Sequence, residues 1–338
     1  MRYELRVSVV VTAYNRADMI GETLDRILNQ TRKPAEIIVV NDGSTDATPE
    51  VLAQYADRIR VVEIENSGDM AAKNVGLEQA RGDLVAYCDS DDLWKPEFLQ
   101  EMLHFWNLLP NATVAYSDFC EVRNGVWQSE SKFQRAPEGF WSELRLLEGE
   151  HGCLERSFVT RLLHYQPFFP SCMMADRKRF LAAGGWDERV GRIVGCDFAT
   201  ALRLADAPPI GVLWRPLVGI RKHARNFSGD NLRMALGDAQ VLQTLLDHDD
   251  ALARFGPEIR QSIQTRLLAA FEIAYARGDL DLVRELRGKI DESALGRTHG
   301  LKYAIARLPR PLRSPLWRAT VLAGAAKGRW RGKKRATH

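Results

Sequence analysis

Three acidic side chains crowd into one short segment, Asp89-Ser-Asp-Asp92, which follows an apolar run at residues 84–88. Adjacent like charges are costly unless a cation or solvent offsets them. Asp89 and Asp91 alternate, so both carboxylates can face one ion, and oxygen ligands suit Mg²⁺ or Mn²⁺ bound together with substrate phosphates. The segment therefore predicts a divalent-ion site. The alternative is a solvated turn in which Asp92 caps a helix that begins within residues 93–96.

Other polar groups could recognise a ligand. Asp42 directly follows an apolar run, and Gly43 permits a tight turn that leaves the Asp42 carboxylate able to accept a hydrogen bond from a nucleobase N–H. Tyr14 also follows an apolar run and could stack on a base. The alternatives are a plain Asx turn at Asp42 and a packing aromatic at Tyr14. His223 lies in a basic segment, which predicts either a solvated surface or a nitrogen that serves a metal ion or a phosphate.

Alternating strands and helices must position these groups. Apolar, β-branched runs predict buried strands, and apolar residues at helical spacing predict helices between them. The strands are expected at residues 7–12, 36–41, 59–64, 84–88 and 114–119, and the helices at residues 18–30, from Thr48-Pro49 (as N-cap and first-turn proline) to about residue 55, and at residues 70–80. This alternation predicts an α/β fold with a doubly wound, mainly parallel sheet. Ligands bind such sheets beyond the carboxyl ends of the strands, where all three polar clusters fall.

The whole sequence is expected to divide into a main domain, a helical extension and a basic tail. Residues 1–230 are expected to form one domain, with a nucleotide-binding half at 1–110 and an acceptor half at 111–230. Residues 120–177 are rich in aromatic side chains, glycine and proline, which indicates loops and short elements over the site. A C-terminal helical extension is expected at 231–295, for acceptor binding, a dimer contact or packing, and a basic tail at 296–338.

The charge distribution is uneven along the chain. The formal net charge is +3, but residues 301–338 contain 11 Lys and Arg and no acid, so the first 300 residues carry −8. A basic tail that contains Trp317 and Trp330 suits an anionic lipid surface, with a solvated tail as the alternative. The five widely spaced cysteines indicate reduced thiols in the cytoplasm. We expect no leader peptide, no membrane-spanning segment and no nucleic-acid partner.

Several motifs together resemble a known family. Residues 7–15 (VSVVVTAYN), 28–31 (LNQT), 36–46 (EIIVVNDGSTD), 66–74 and 88–92 (CDSDD) occur in the order and spacing of the large family 2 glycosyltransferases of the GT-A fold. Residues 184–188 (GGWDE) and 196–203 (CDFATALR) fit the same pattern. The resemblance covers about residues 5–230. It implies a metal-dependent enzyme that transfers a sugar from a nucleotide-sugar.

The resemblance also implies roles for particular residues. Thr12, Tyr14 and Asp42 would hold a uracil or thymine base, which indicates a UDP- or dTDP-sugar donor. Lys73, where the family usually has Arg, would contact the nucleotide. Asp91 would bind Mn²⁺ or Mg²⁺, and Asp89, the other outer carboxylate of the DxD motif, would help to hold the nucleotide-sugar.

The later motifs provide the remaining roles. Asp197 would be the catalytic base, since a carboxylate that is ionised at neutral pH can take the proton of an acceptor hydroxyl. Arg221, His223 and Ser228 resemble the segment that closes over the diphosphate. The family frequently has Pro-Thr where Thr12-Ala13 stands, Asp at Asn41, and an acid before the base at Cys196, which leaves Asp197 without an acidic sequence neighbour.

The mode of transfer follows from the same comparison. Direct displacement assisted by one base inverts the anomeric configuration, and the Gln-x-x-Arg-Trp motif of processive synthases is missing from the sequence. We therefore expect single transfers to an acceptor hydroxyl, on a lipid-linked glycan or an envelope polysaccharide, by a cytoplasmic enzyme that is a peripheral membrane protein if its tail binds lipid. A sugar-nucleotidyltransferase lacks support because the loop at residues 12–16 has no glycine. A catalytically silent module that binds nucleotide-sugars or acts as a scaffold is the other alternative.

Overall fold

A computed structural model describes residues 5–223, 226 and 229–335, with side chains described as far as residue 322. One mixed sheet forms the centre and helices cover both of its faces. The strands are β1 (Val7–Ala13), β2 (Glu36–Asp42), β3 (Arg60–Ile64), β4 (Leu84–Asp89), β5 (Leu93–Trp94), β6 (Val114–Arg123), β7 (Val126–Ser131), β8 (Arg145–Glu148), β9 (His151–Leu154), β10 (Met173–Asp176) and β11 (Ile210–Lys222). The helices are α1 (Ile20–Leu28), α2 (Thr48–Ala53), α3 (Asp69–Gln79), α4 (Phe98–Leu108), α5 (Val159–Leu162), α6 (Arg177–Ala182), α7 (Asp197–Ala205), α8 (Asn231–His248), α9 (Gly256–Arg277), α10 (Leu280–Arg287), α11 (Arg297–Arg307) and α12 (Arg310–Arg335).

The amino-terminal half is the predicted parallel, doubly wound unit. Its four strands lie in the order β3-β2-β1-β4, and every neighbouring pair is parallel. All seven residues of β1 are buried, which explains the unbroken β-branched run in the sequence. Because the strands are parallel, the loops after β1, β2 and β4 emerge at the same edge of the sheet.

The second half completes the sheet with mixed pairing. β10 is antiparallel to both β4 and β6, and β11 is parallel to β6 and antiparallel to β9. The two-residue strand β5 pairs with β11 directly after the acidic turn. The expectation that a helix begins within residues 93–96 is therefore wrong: β5 occupies Leu93–Trp94, and the helix α4 begins only at Phe98.

Two predicted helix caps are also wrong. Thr48 is the first residue of α2, and its hydroxyl bonds to the Asp46 carboxylate and accepts from the Arg16 amide at 2.9 Å. The Asp92 carboxylate accepts from the Ser171 hydroxyl and from the Arg221 amide instead of capping a helix. In both cases a contact with a distant loop replaced the local one.

Helices also form the carboxyl-terminal part. α8 and α9 pack together, and a separate apolar cluster links them with α10, α11 and the start of α12. The described part of the basic region forms two helices, and most side chains of α12 up to residue 322 are exposed. The Trp317 indole donates to the Tyr275 carbonyl oxygen at 2.6 Å and packs at Gly278, so it faces the protein. The side chain of Trp330 lies outside the described residues.

Two observations bear on the expectations for the cysteines and for membrane-spanning segments. All five cysteines are free thiols and buried, so none of them joins a disulfide. In the part of the chain that the structure describes, no helix is long and apolar enough to cross a bilayer.

Candidate active site

The register of the sheet brings the predicted site residues to one edge. Thr12 in β1 lies opposite Asp89 in β4, and Ala13 lies opposite Asn41 in β2. Asp42 is the last residue of β2 and Asp89 the last residue of β4. Neighbouring parallel strands thus place the three polar clusters of the sequence along a single cleft.

The loop after β2 is closed by the Asp42 carboxylate. Its oxygens accept from the backbone amides of Ser67 at 2.6 Å and Gly68 at 3.0 Å, and the Asn66 side-chain amide donates to the Asp42 carbonyl oxygen at 3.0 Å. Gly43 has φ of 69°, and a Cβ there would lie 2.9 Å from the Asn66 amide nitrogen. Asp42 therefore fixes the entry to α3, and only the lone pairs left over can receive a base N–H.

A buried lysine joins α3 to the end of β4. Lys73 is 1% exposed, and its ammonium lies 2.5 Å from the Asp69 carboxylate and 2.9 Å from Asp89 Oδ1. The Thr12 hydroxyl donates to Asp69 at 2.9 Å, so β1 joins the same network. Burial lowers the pKa of Lys73, but attraction to Asp69 and Asp89 outweighs it and the net shift is upward. Lys73 is therefore a permanent cation beside Asp89.

Asp91 points to a different set of partners. Its Oδ2 lies 3.0 Å from His223 Nε2 and 3.4 Å from Arg16 Nε. The side chain of Asp91 is 13% exposed and that of His223 is 16% exposed, so both border the cleft. The structure thus brings Asp91 and His223 together, although they are 132 residues apart. Ser228, predicted beside them, lies outside the described residues.

Arg221 holds the acidic turn in place. Its guanidinium donates to the Asp91 carbonyl oxygen, to the Met19 carbonyl oxygen at 3.0 Å and to the Thr23 hydroxyl at 2.9 Å, and it pairs with Glu22 at 2.9 Å. These acceptors all belong to α1, the residue before it or the turn. The guanidinium is thus engaged by the protein, and its predicted contact with a diphosphate stays a prediction.

Asp197 begins α7 on the far side of Lys73. No described residue donates a hydrogen bond to its carboxylate, which is partly exposed. Burial and the charge of Asp89 raise its pKa to about 7, Lys73 opposes that shift, and Asp238 and Asp69 add to it. Asp197 therefore has acidic neighbours in space, although Cys196 removes one from the sequence. A carboxylate with this pKa is suited to exchange protons near neutrality.

The remaining departures from the family pattern have local reasons. The Asn41 amide donates to Glu63 at 2.7 Å, where an aspartate would face a second carboxylate. Cys196 is buried, and an acid there would add another charge to the cleft that already holds Asp69 and Asp197. Tyr14 is 47% exposed at the mouth of the cleft and free to contact a ligand ring.

Sequence reasoning missed three residues of this cleft. Asp69 had a signal, since it lies four residues before Lys73 on the same helix face. Arg16 follows the first polar cluster directly. Ser171, whose hydroxyl accepts from the Asp89 amide at 2.9 Å, had no signal, because it lies 82 residues from its partner in a single 3₁₀ turn, Pro170–Cys172.

The donor set at Asp91 fits a divalent ion only in part. A carboxylate oxygen next to an imidazole nitrogen suits Mn²⁺ or Mg²⁺. However, the described residues contain no group of three His, Cys, Asp or Glu side chains that could hold a metal ion. Asp89, the second predicted ligand, is paired with Lys73. The protein therefore offers Asp91 and His223, and the remaining ligands would have to come from substrate oxygens and water.

Comparison with solved structures defines the class of fold. The chain matches TarS from S. aureus in complex with UDP-GlcNAc with a TM-score of 0.61 and 18% identity, covering 96% of this chain and 92% of that one. It matches the mannosyltransferase PcManGT from Pyrobaculum calidifontis, in complex with GDP-Man and Mn²⁺, with a TM-score of 0.53 and 22% identity, covering 97% and 88%. The fold, with its cleft at the carboxyl edge, is the GT-A fold of glycosyltransferases.

Sequence comparison gives the family. Residues 8–168 match the model of "Glycosyl transferase family 2". TuaG of Bacillus subtilis, provisionally named as a teichuronic acid biosynthesis glycosyltransferase, is 45% identical over 152 residues, which are 44% of this chain and 60% of TuaG. GlyA of Streptococcus pneumoniae, named as a glycosyltransferase, is 39% identical over 100 residues, 29% of this chain and 14% of GlyA. The chain is thus similar to glycosyltransferase family 2 over residues 8–168, and it spans less than two thirds of the length of these relatives.

The Lys73 network predicts a specific loss of stability. We expect Lys73→Met to lower the free energy of unfolding by about 2–3 kcal/mol, because it leaves Asp69 and Asp89 without their counter-ion while both keep some access to water. Lys73→Arg, which keeps the charge, should lose less. Urea denaturation measures the difference, with Lys178→Met on the exposed face of α6 as the control. Equal midpoints for Lys73→Met and Lys178→Met would contradict this prediction.

Proposed function

We propose that the chain transfers a single sugar from a UDP- or dTDP-sugar to an acceptor hydroxyl with inversion of configuration. The observation that carries the proposal is the Asp197 carboxylate, which has no hydrogen-bond donor among the described residues and lies at the cleft with Asp89 and Lys73. A carboxylate whose oxygens receive no hydrogen bond from these residues can accept a proton from a substrate hydroxyl. The GT-A fold and the match of residues 8–168 to glycosyltransferase family 2 support the reaction class.

The base acts on the acceptor. Ionised Asp197 takes the proton of the hydroxyl while the hydroxyl oxygen forms a bond to the anomeric carbon. The bond from that carbon to the diphosphate oxygen breaks on the opposite side, and the electron pair leaves with the diphosphate. Attack and departure on opposite faces invert the configuration. General-base catalysis of this kind contributes about 10²–10⁴ in rate.

The departing diphosphate gathers negative charge, which cationic and polar groups around Asp91 oppose. Arg16 is 22% exposed beside Asp91 and can turn towards the phosphates, while His223 can donate to them. A Mn²⁺ or Mg²⁺ ion held by Asp91 and His223 would neutralise diphosphate charge when bound. Arg221 positions the turn that carries Asp91. Tyr14 stacks on the base, and Asp42, Thr12 and Lys73 line the nucleotide side, with Asp89 between nucleotide and sugar.

Relatives and neighbours support the choice of substrates. TarS is described with UDP-GlcNAc and with UDP, and TuaG is named for teichuronic acid biosynthesis. An acceptor hydroxyl on an envelope polysaccharide or a lipid-linked glycan agrees with these names. An acid at Asp42 that accepts from a pyrimidine N–H agrees with a UDP or dTDP donor.

The last helix supports a further part of the proposal, peripheral binding to the cytoplasmic face of a membrane. Leu312 is 56% exposed and Leu316 is 46% exposed, one turn apart on α12, and Arg310 and Arg318 are exposed beside them. Arg313 and Trp317 face the helical body. Exposed leucines flanked by arginines suit anionic lipid, to which each cation contributes about 1 kcal/mol.

Replacement of Asp197 tests the base. We expect Asp197→Asn to lower kcat by about 10²–10⁴ while UDP binding is retained. In the wild type, kcat/KM should fall as pH drops below about 7, because the carboxyl protonates and no longer accepts a proton. Coupled detection of released nucleoside diphosphate over pH 5–9 measures both, with a donor screen to find the sugar. Asp247→Asn, which makes the same change at an exposed carboxylate on α8, is the control. An unchanged kcat in Asp197→Asn would show that Asp197 is not the base, whereas a wild type that releases no nucleoside diphosphate from any donor would leave only a binding module.

Metal binding should depend on the nucleotide. Because the described protein offers only Asp91 and His223, we expect Mn²⁺ to bind weakly alone and much more tightly when UDP supplies diphosphate oxygens. Electron paramagnetic resonance of free Mn²⁺ measures this, and EDTA should abolish transfer. Asp91→Asn should remove the effect of UDP. Equal Mn²⁺ affinity with and without UDP would count against this site.

Exposed leucines on α12 allow a membrane test that leaves the core intact. We expect the double variant Leu312→Asp/Leu316→Asp to lose co-sedimentation with phosphatidylglycerol vesicles, since the acids repel the surface and the apolar contact is gone. Leu146→Asp, at an exposed leucine on β8, should behave as the wild type. If the double variant still sediments with the vesicles, or the wild type does not, α12 is not the membrane contact.

A further inference from the structure

A partly buried lysine without a counter-ion lies beyond the acidic turn. Lys132 follows β7, and its ammonium lies 4.3 Å from the centre of the Tyr165 ring and 5.7 Å from that of Phe169. Among the residues that the structure describes, no carboxylate is within ion-pair distance of this ammonium. Burial, together with the charges of Arg135 and Lys222, lowers the pKa of Lys132 to about 8, and the charge of Glu121 opposes this shift.

The surroundings of Lys132 are rich in positive charge. Arg135 and Lys222 lie near enough to depress its pKa. The nearby acids are already used: Glu121 pairs with Arg123 at 2.8 Å and with Arg135 at 3.6 Å, and Glu130 pairs with Arg135 at 3.7 Å. Asp118, the remaining acid, accepts from the backbone amides of Phe119 and Phe133. The cluster of Lys132, Arg135 and Lys222 thus has more cations than available anions.

A layer of aromatic rings connects this cluster with the catalytic cleft. Phe169 packs edge-on against Phe119 at 5.0 Å, and the Lys132 amide donates to the Phe119 carbonyl oxygen at 2.8 Å. The preceding residue, Phe168, stacks on Tyr116 at 4.3 Å. Burial and, to a smaller degree, the charge of Asp197 raise the pKa of Tyr116, so this ring is within electrostatic range of the proposed base. Phe169 is followed two residues later by Ser171, whose hydroxyl donates to the Asp92 carboxylate. The aromatic layer at Lys132 is therefore continuous with the segment that contacts the acidic turn.

We propose that Lys132, with Arg135 and Lys222, binds an anionic group, a phosphate or a carboxylate, carried by the acceptor. The proposal rests on the proposed transfer reaction, in which the acceptor hydroxyl meets Asp197. An ammonium held between aromatic faces is poorly solvated, and an anion with exposed oxygens replaces the missing water and counter-ion. The rings of Tyr165 and Phe169 can also pack against an adjacent sugar face. Acceptors that repeat a charged group along a chain fit this arrangement.

Nuclear magnetic resonance of protein labelled with ¹³C-lysine tests the site without turnover. The Lys132 signal, assigned by its loss in Lys132→Gln and Lys132→Arg, should titrate near pH 8 in the free protein. Glycerol 3-phosphate or glucuronate should raise that midpoint, because a bound anion favours the charged ammonium. A shift with the first probe alone identifies phosphate, and a shift with the second alone identifies carboxylate. Lys222→Gln should weaken binding of the effective probe about fivefold to tenfold, whereas Lys178→Gln should not.

Two results would overturn the proposal. One is a Lys132 midpoint that neither probe moves. The other is an equal shift with UDP, which would assign the cluster to the donor. The readout is the Lys132 signal itself. A chain that binds these anions but transfers no sugar would therefore contradict the proposed function and leave the anion site supported. A chain that transfers sugar but shows no shift of the Lys132 midpoint would contradict only the proposed anion site.

Discussion

The ammonium group of Lys73 is the contact on which the rest of the cleft depends. It is buried between Asp69 of α3 and Asp89 of β4, and Asp69 also receives the Thr12 hydroxyl of β1. An unpaired charge at this depth would cost several kcal/mol of folding free energy. The ammonium and the two carboxylates therefore stabilise one another, and loss of one partner destabilises the others. Through this network β1, α3 and the end of β4, where the acidic turn begins, keep one relative position.

The same constraint divides the cleft into two electrostatic sides. On one side, Asp69, Asp89 and Asp238 surround Asp197, and their charges together with burial raise its pKa towards neutrality. On the other side, Arg16 and His223 converge on Asp91. A proton acceptor thus faces a region that can oppose anionic charge, and this separation is what a displacement with an anionic leaving group requires.

The acidic turn is held from three directions. Arg221 connects it to α1, Ser171 connects it to the segment before β10, and β5 connects it to β11. These contacts explain why so short a segment, with three carboxylates, keeps one conformation. They also place the aromatic layer of Tyr116 and Phe168 against the site, because that layer is continuous with the segment that carries Ser171. One segment therefore contacts both the acidic turn and the aromatic layer.

The sequence by itself determined the parallel sheet, because β-branched runs alternate with helical spacing and each run ends in a polar cluster. It also determined that Thr12, Asp42 and Asp89 share an edge, since parallel strands end on the same side. Only the tertiary structure decided the partners of those groups. Thr48 and Asp92, predicted as helix caps, instead bond to residues distant in the sequence. The packing also brought Arg16, Asp69 and Ser171 into the cleft. Local spacing fixes which residues share a strand or a helix face. The pairing of a charge with a partner 80 or 130 residues away depends on how those faces pack.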